Sequence, residues 1–259
     1  MHSTGRNEMS APRAGPRPGV VDRVVALLGA FDAAGPRLSL AELSRRAGMP
    51  KPTVHRMAQD LVRHRLLEQD PESREYQLGM GLFELGELVA RPRDLAEFAG
   101  PIMEDLREAT RLRVHLAVLE GTDVVYVRIV GASGARVTSR VGGRLPAHAT
   151  GVGKAILAYA PPEAVGAVIA TGLPRLTPRT VATPGALARD LSAIQETGTA
   201  YDREESHLGV SCVAAPVFGR GKAVLAGLSV TGPTKDVDPV RLGIAVRTAA
   251  FTLGRELRG

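Results

Sequence analysis

The chain has a single cysteine in 259 residues, Cys212, so an internal disulfide framework is excluded and so are paired-cysteine zinc sites. So low a thiol content suits a reducing compartment. No apolar run is long enough to cross a bilayer. The first eighteen residues lack the continuous apolar segment of a secretory signal, and their Pro, Gly and Arg content predicts a disordered arm. No G-x-S-x-G nucleophile elbow occurs. Gly151-Val152-Gly153-Lys154 looks superficially like a phosphate loop. It fails because His148 stands where the first glycine of G-x4-G-K belongs, and Ala155 replaces the hydroxyl that would hold magnesium. These absences lead to the expectation of a cytoplasmic protein with no metal and no cofactor.

What is present describes a folded protein. The composition is 44% hydrophobic and 23% charged, and the length suffices for two ordinary domains. A net charge of +6 and an isoelectric point near 10.0 favour a polyanionic partner. The total is less telling than its placement, because residues 1–79 and the remainder each contribute +3. The concentration lies between Arg37 and Arg65, where seven basic residues meet only Glu42 and Asp60.

Hydrophobic spacing organises the first part of the chain. Val20, Val21, Val24, Leu27, Leu28 and Phe31 follow the i, i+3, i+4, i+7 pattern of an amphipathic helix that Gly35-Pro36 ends. Ser39 with Glu42 three residues on is a capping-box signature for a helix through Ala47. Gly48 breaks that helix, and Pro50 opens another running to about His64. Two short helices joined by a glycine turn form a helix-turn-helix. Glu68-Gln69, the turn residues 70–73 and Arg74–Leu78 then read as a two-stranded wing.

The rest predicts an α+β fold. A linker helix with a leucine stripe spans 80–91, Pro92 stops it, and the stripe points to a homodimer. Next come a helix over 94–110 and strands near 114–119, 124–130 and 136–141. Helices follow over 153–159, from 161 to 172 and from Thr183-Pro184 to Gly198. A hairpin of 212–218 and 223–230 precedes a terminal helix opened by Asp238-Pro239. Hairpins with flanking helices describe an antiparallel sheet with room for a pocket between sheet and loops. The domain boundaries so read are an arm over 1–18, a winged helix-turn-helix over 19–79, a linker over 80–93 and a C-terminal domain over 94–259.

In a helix-turn-helix the N-terminal residues of the second helix meet base edges in the major groove of double-stranded DNA. Here those are Lys51, Pro52, Thr53, His55 and Arg56. Arg45, Arg46 and Arg74 suit phosphates, and Ser39, at the start of the preceding helix, joins this DNA-facing set. The same architecture also serves as a protein-interaction module.

At this point the sequence resembles a known family. LSLAELSRRAGMPKPTVHRMAQDLVRHRLLEQD followed by YQLGMGLFELG looks like the N-terminal domain of IclR-type bacterial regulators. HATGVGKAILAY and GTAYDREESHLGVSCVAAPVF look like that family's effector domain. The match runs over roughly residues 19–256 in the family's order. It implies a GAF-like effector domain, dimers that often pair into tetramers, and control of catabolic operons by a small-molecule effector, an organic or aromatic acid. One departure is Pro52, where the family commonly carries Ser; proline is tolerable in a first turn but removes a hydroxyl and an amide.

By motif, the resemblance assigns the Gly151-Val152 backbone to an acidic effector and places Asp202 and Cys212 on the pocket wall. Ser229 and Thr231 form its polar floor, with Val141, Leu145 and Val152 shaping the rest. The alternative from another class is a small-molecule-converting enzyme with an appended DNA-binding domain. It would use Cys212 as a thiol nucleophile near His207 or His148. Glu204-Glu205 beside His207 resembles a metal cluster, but adjacent loop carboxylates are ordinarily solvated.

Overall fold

The computed structural model describes residues 19–32, 35–131 and 139–257. The expected N-terminal arm, residues 1–18, lies outside them, as does 136–138 of one expected strand. The chain divides into two compact units, one ending at Val89 and one starting at Ala90.

The first unit contains three helices and a wing. Helix α1 (Val20–Leu28) starts at Gly19, whose N–H donates to the Asp22 carboxylate at 2.8 Å. It ends earlier than the apolar spacing predicts, at Gly29, and only Leu27 of its stripe is fully buried; Val20 and Val21 are exposed. Helix α2 (Leu40–Ala47) is capped as expected, with Ser39 Oγ accepting from the Glu42 N–H. Helix α3 (Lys51–Arg63) buries Val54, Ala58 and Leu61. Strands β1 (Leu67–Gln69) and β2 (Tyr76–Leu78) pair antiparallel, and the backbone of Leu38 bonds both ways with Tyr76, tying the α1–α2 connection to the wing. Leu27, Leu43, Val54, Leu67 and Tyr76 form the core. Helix α4 (Met80–Glu87) follows, and it stops four residues before the expected Arg91.

The α2–α3 turn depends on Gly48, which sits in the left-handed region at φ 65°, ψ 29°. A Cβ there would meet no atom within 4 Å, so a substitution is opposed by the backbone conformation alone. Gly48→Ala is expected to destabilise the N-terminal unit by about 1 kcal/mol. Unfolding followed by circular dichroism checks this, and an unchanged midpoint would mean the turn is not left-handed in solution.

The second unit is a six-stranded antiparallel sheet with helices on both faces. Its strands are β3 (Arg113–Glu120), β4 (Asp123–Val130), β5 (Arg144–Pro146), β6 (Ala200–Arg203), β7 (Val210–Phe218) and β8 (Val224–Pro233), in spatial order β5-β4-β3-β8-β7-β6. Two three-stranded meanders therefore join where β3 pairs with β8. One face carries α5 (Ala90–Thr110) and α9 (Pro239–Glu256), which bury Met103, Leu106, Leu242, Val246 and Leu253 against Leu116, Val213 and Leu228. The other face carries α6 (Gly151–Leu157), α7 (Pro162–Ala170) and α8 (Pro184–Thr197).

Helix α6 lies close on the sheet. A Cβ on Gly153 would stand 2.1 Å from the Ala147 carbonyl oxygen, and one on Gly227 2.7 Å from that of Val152. The helix so pressed down begins at Gly151, two residues before the sequence spacing predicts. The strand expected to end at Val141 is not formed at its described end: residues 139–143 are loop and turn, and the edge strand is β5. Sequence reading also missed β6, a four-residue edge strand too short to show a period.

Candidate functional site

Two sites follow, one in each unit. In the first, α3 projects an exposed face. Lys51, Pro52, His55 and Arg56 are exposed and Thr53 is half-buried. Among the described residues, the side chains of Lys51, His55 and Arg56 have no ion-pair or hydrogen-bond partner. Lys51 and His55, one turn apart, line a shallow groove with Ser39, Ser73, Arg74 and Tyr76. Arg74 reaches it because the wing turn is tightly built: Asp70 Oδ1 accepts from the N–H groups of Glu72 and Ser73, and Arg74 itself adopts φ 58°.

The other two arginines are engaged within the fold. Arg45 makes a two-point bond to Glu42 at 2.9 and 2.6 Å while remaining exposed. Arg46 bonds Glu42 at 2.7 Å, the Ala30 carbonyl at 3.1 Å and Asp32 at 3.2 Å. Hydrogen bonds from Arg45 and then Arg46 hold the Glu42 carboxyl down to about 2. Arg46 therefore clamps the end of α1 to α2, and the expectation of a phosphate contact gives way to this structural tie.

The second site is a cavity of about 280 Å³ on the α6 face of the sheet. Its floor comes from neighbouring strands whose alternate residues point the same way. His115 on β3 lies opposite Ser229 on β8, Thr231 opposite Cys212 on β7, and Cys212 opposite Asp202 on β6. Leu145, Thr150 and Val152 close one side, and Ser206 and His207 the other. Of the residues expected there, Leu145, Val152, Asp202, Cys212, Ser229 and Thr231 line the cavity. Val141 does not: it is exposed in the turn before Gly142. Gly151 lies behind the wall, where a Cβ would come within 2.4 Å of the Cys212 sulfur.

The floor is polar but uncharged apart from one acid. His115 contacts Thr231 Oγ1 at 3.1 Å through Nδ1 and Ser139 Oγ at 2.7 Å through Nε2. Burial, aided by the Arg113 charge, lowers its pKa to about 3, so the ring is neutral. Burial likewise pushes the Cys212 thiol up to about 12 and the Asp202 carboxyl up to about 6. Asp202 Oδ1 accepts from the Glu205 N–H at 2.6 Å and Oδ2 from the Ser206 hydroxyl at 2.6 Å, which shapes the 202–206 loop.

Behind that loop, Lys154 is fully buried, with Nζ 2.7 Å from Glu205 Oε1 and 2.8 Å from Asp190 Oδ2. The loop acids are therefore not simply solvated: Glu205 is buried, and Glu204 pairs with Arg179. His148 is buried as well and contacts the Pro174 carbonyl.

Sequence reading missed His115 and Tyr126. His115 carried a signal, a histidine on the inward phase of the strand 114–119. Tyr126 carried none. A bulge at Val127 shifts the register of β4, so that Tyr126 faces the cavity while Arg128 faces α5 and donates to the Ala96 carbonyl.

Known proteins share both units. The model of the IclR helix-turn-helix domain matches residues 20–71, and that of the bacterial transcriptional regulator IclR C-terminal domain matches residues 88–253. The chain is 34% identical over 224 residues to the HTH-type transcriptional regulator XynR of Escherichia coli, covering 86% of this chain and 89% of that one. It is 34% identical over 230 residues to KdgR of the same species, covering 87% and 88%. A crystal structure of an IclR homologue from Microbacterium hydrocarbonoxydans, complexed with 4-hydroxybenzoate, superposes with a TM-score of 0.82 at 30% identity over 92% of this chain and 98% of that one. A DNA-reading fold in one unit and a lined cavity in the other are thus matched over their full order by regulators of one kind, and the chain belongs to the IclR family of bacterial transcriptional regulators.

Proposed function

We propose that the chain is a cytoplasmic, ligand-responsive regulator that binds a specific operator through α3 and takes a small organic acid, aromatic acids included, in the C-terminal cavity. The cavity carries this reading: a space for one small molecule, with hydroxyl, thiol and imidazole groups on its floor and Arg140 at its rim. The homologue complexed with 4-hydroxybenzoate supports the acid class. Residues 19–79 bind DNA, 80–93 link, and 94–259 bind the effector. Exposed Val20, Val21 and Val25 on α1, with Phe83 and Leu85 on α4, are apolar faces that a second copy covers in a homodimer, alone or paired into a tetramer.

The enzyme reading has no support in the site. Its only thiol is held protonated by burial, and nucleophilic cysteines need the thiolate. The protein therefore works by binding and not by turnover.

The test is binding to the DNA upstream of its own gene, with salt titrated and aromatic and aliphatic acids added. Sequence-indifferent binding at physiological salt, or no response to any acid, would count against the reading. Arg56→Ala is expected to weaken specific binding by about 1–3 kcal/mol and relax base preference, as for loss of one base contact. Unchanged affinity and preference would remove Arg56 from the interface.

A further inference from the structure

The cavity contains one polar group that the fold leaves without a partner. Tyr126 is 7% exposed, and among the described residues nothing hydrogen-bonds its hydroxyl. The ring is fixed in place, 5.2 Å from the His115 ring, and the bulge after it turns the residue toward the cavity. Burial pushes the phenol well above its ordinary value, so it remains a hydrogen-bond donor. An unpaired buried hydroxyl is destabilising, so a ligand group that answers it gains what the fold does not supply.

Charge is graded from rim to floor. Arg140 and His207 at the rim are exposed, and among the described residues no carboxylate pairs with Arg140. On the floor His115 is neutral, Cys212 is a thiol and the remaining ionisable group is the acid Asp202. An anion on that floor would lose its hydration without gaining a cation, and would face Asp202. A neutral hydroxyl meets neither penalty. The volume of about 280 Å³ suits a single ring with short substituents.

We infer that the effector is a hydroxy-acid of one-ring size, its acid group held at the rim by Arg140 and its hydroxyl on the floor, hydrogen-bonded by Tyr126. This rests on the acid-effector reading of the cavity and makes Tyr126 the residue that chooses between acids. Tyr126→Phe keeps the ring against His115 and removes only the unpartnered oxygen, so the unliganded fold is retained.

Calorimetric titration of the full chain with benzoate and with 4-hydroxybenzoate tests the inference. Wild type is expected to bind 4-hydroxybenzoate about tenfold more tightly, the size of one neutral hydrogen bond. Tyr126→Phe removes that preference and leaves benzoate affinity unchanged, while Arg140→Ala weakens both acids alike. Equal wild-type affinities, a preference that survives Tyr126→Phe, or full affinity in Arg140→Ala each overturn it. So does a Tyr126→Phe protein that loses both acids equally, which would place the acid group on the floor. Wild type binding neither acid overturns the acid reading of the cavity, and this inference with it.

Discussion

Lys154→Met is expected to cost the C-terminal unit about 3–5 kcal/mol, because it strips a buried ion pair of one partner. Lys154 Nζ lies 2.8 Å from Asp190 and 2.7 Å from Glu205, and Lys154 and Glu205 are 1% and 6% exposed at their side chains. Asp190 is 39% exposed and rehydrates when the cation leaves. Glu205 does not. Its Oε2 already has no hydrogen-bond partner, so the substitution leaves a buried carboxylate with only the Arg203 N–H at 3.4 Å. Adding Glu205→Gln to Lys154→Met removes the uncompensated charge and is expected to recover much of the loss. The chain has no tryptophan, so circular dichroism is the suitable probe of unfolding. A single variant that unfolds within about 1 kcal/mol of wild type would place the pair in the weak class of exposed salt bridges.

The same residues show what could be read in the sequence and what could not. The N-terminal unit was legible because its signals are local. Ser39 and Glu42 lie three residues apart, Gly48 marks a left-handed turn, and Val54, Ala58 and Leu61 repeat at helical spacing. The polar floor was legible only through resemblance, since Asp202, Cys212, Ser229 and Thr231 converge by strand pairing across up to thirty positions. Lys154 was visible only as part of a failed phosphate loop. Its partners lie 36 and 51 residues away on α8 and the 202–206 loop, and no short-range pattern joins them. Arg46 was misread for the complementary reason: a basic residue on a basic helix suggests phosphate, while its bonds to Ala30 and Asp32 depend on how α1 ends. Tyr126 was hidden by the bulge, which breaks the period of two on which strand reading rests.

Two groups lining the cavity are expected to titrate in opposite directions, and single substitutions should unmask each. Folding lowers His115 from 6.5 to about 3, chiefly by burial. Below its ordinary value the unfolded chain takes up a proton that the folded one refuses. Its contribution to stability is therefore present above 6.5 and lost as pH falls toward 3. Folding raises Asp202 from 3.8 to about 6, again chiefly by burial. There the folded form holds the extra proton, so the contribution is present below 3.8 and lost as pH rises through 6. Neither group is among the charges that perturb the other. Between about pH 4 and 6 one proton is gained on unfolding at His115 and one is lost at Asp202, and the two slopes cancel.

In Asp202→Asn only the histidine slope remains, so stability relative to wild type should fall on acidification by about 1.4 kcal/mol per pH unit, or about 3 kcal/mol over the window. In His115→Gln the acid remains, and stability relative to wild type should rise on acidification by the same amount. Other carboxylates contribute equally to all three proteins, so the difference from wild type is the quantity to measure, by urea unfolding at several pH values. Parallel pH profiles for the three proteins would show that neither group is held away from its ordinary protonation by the fold. The wet, open floor implied by that result would also weaken the case for an uncharged hydroxyl as the group that docks there.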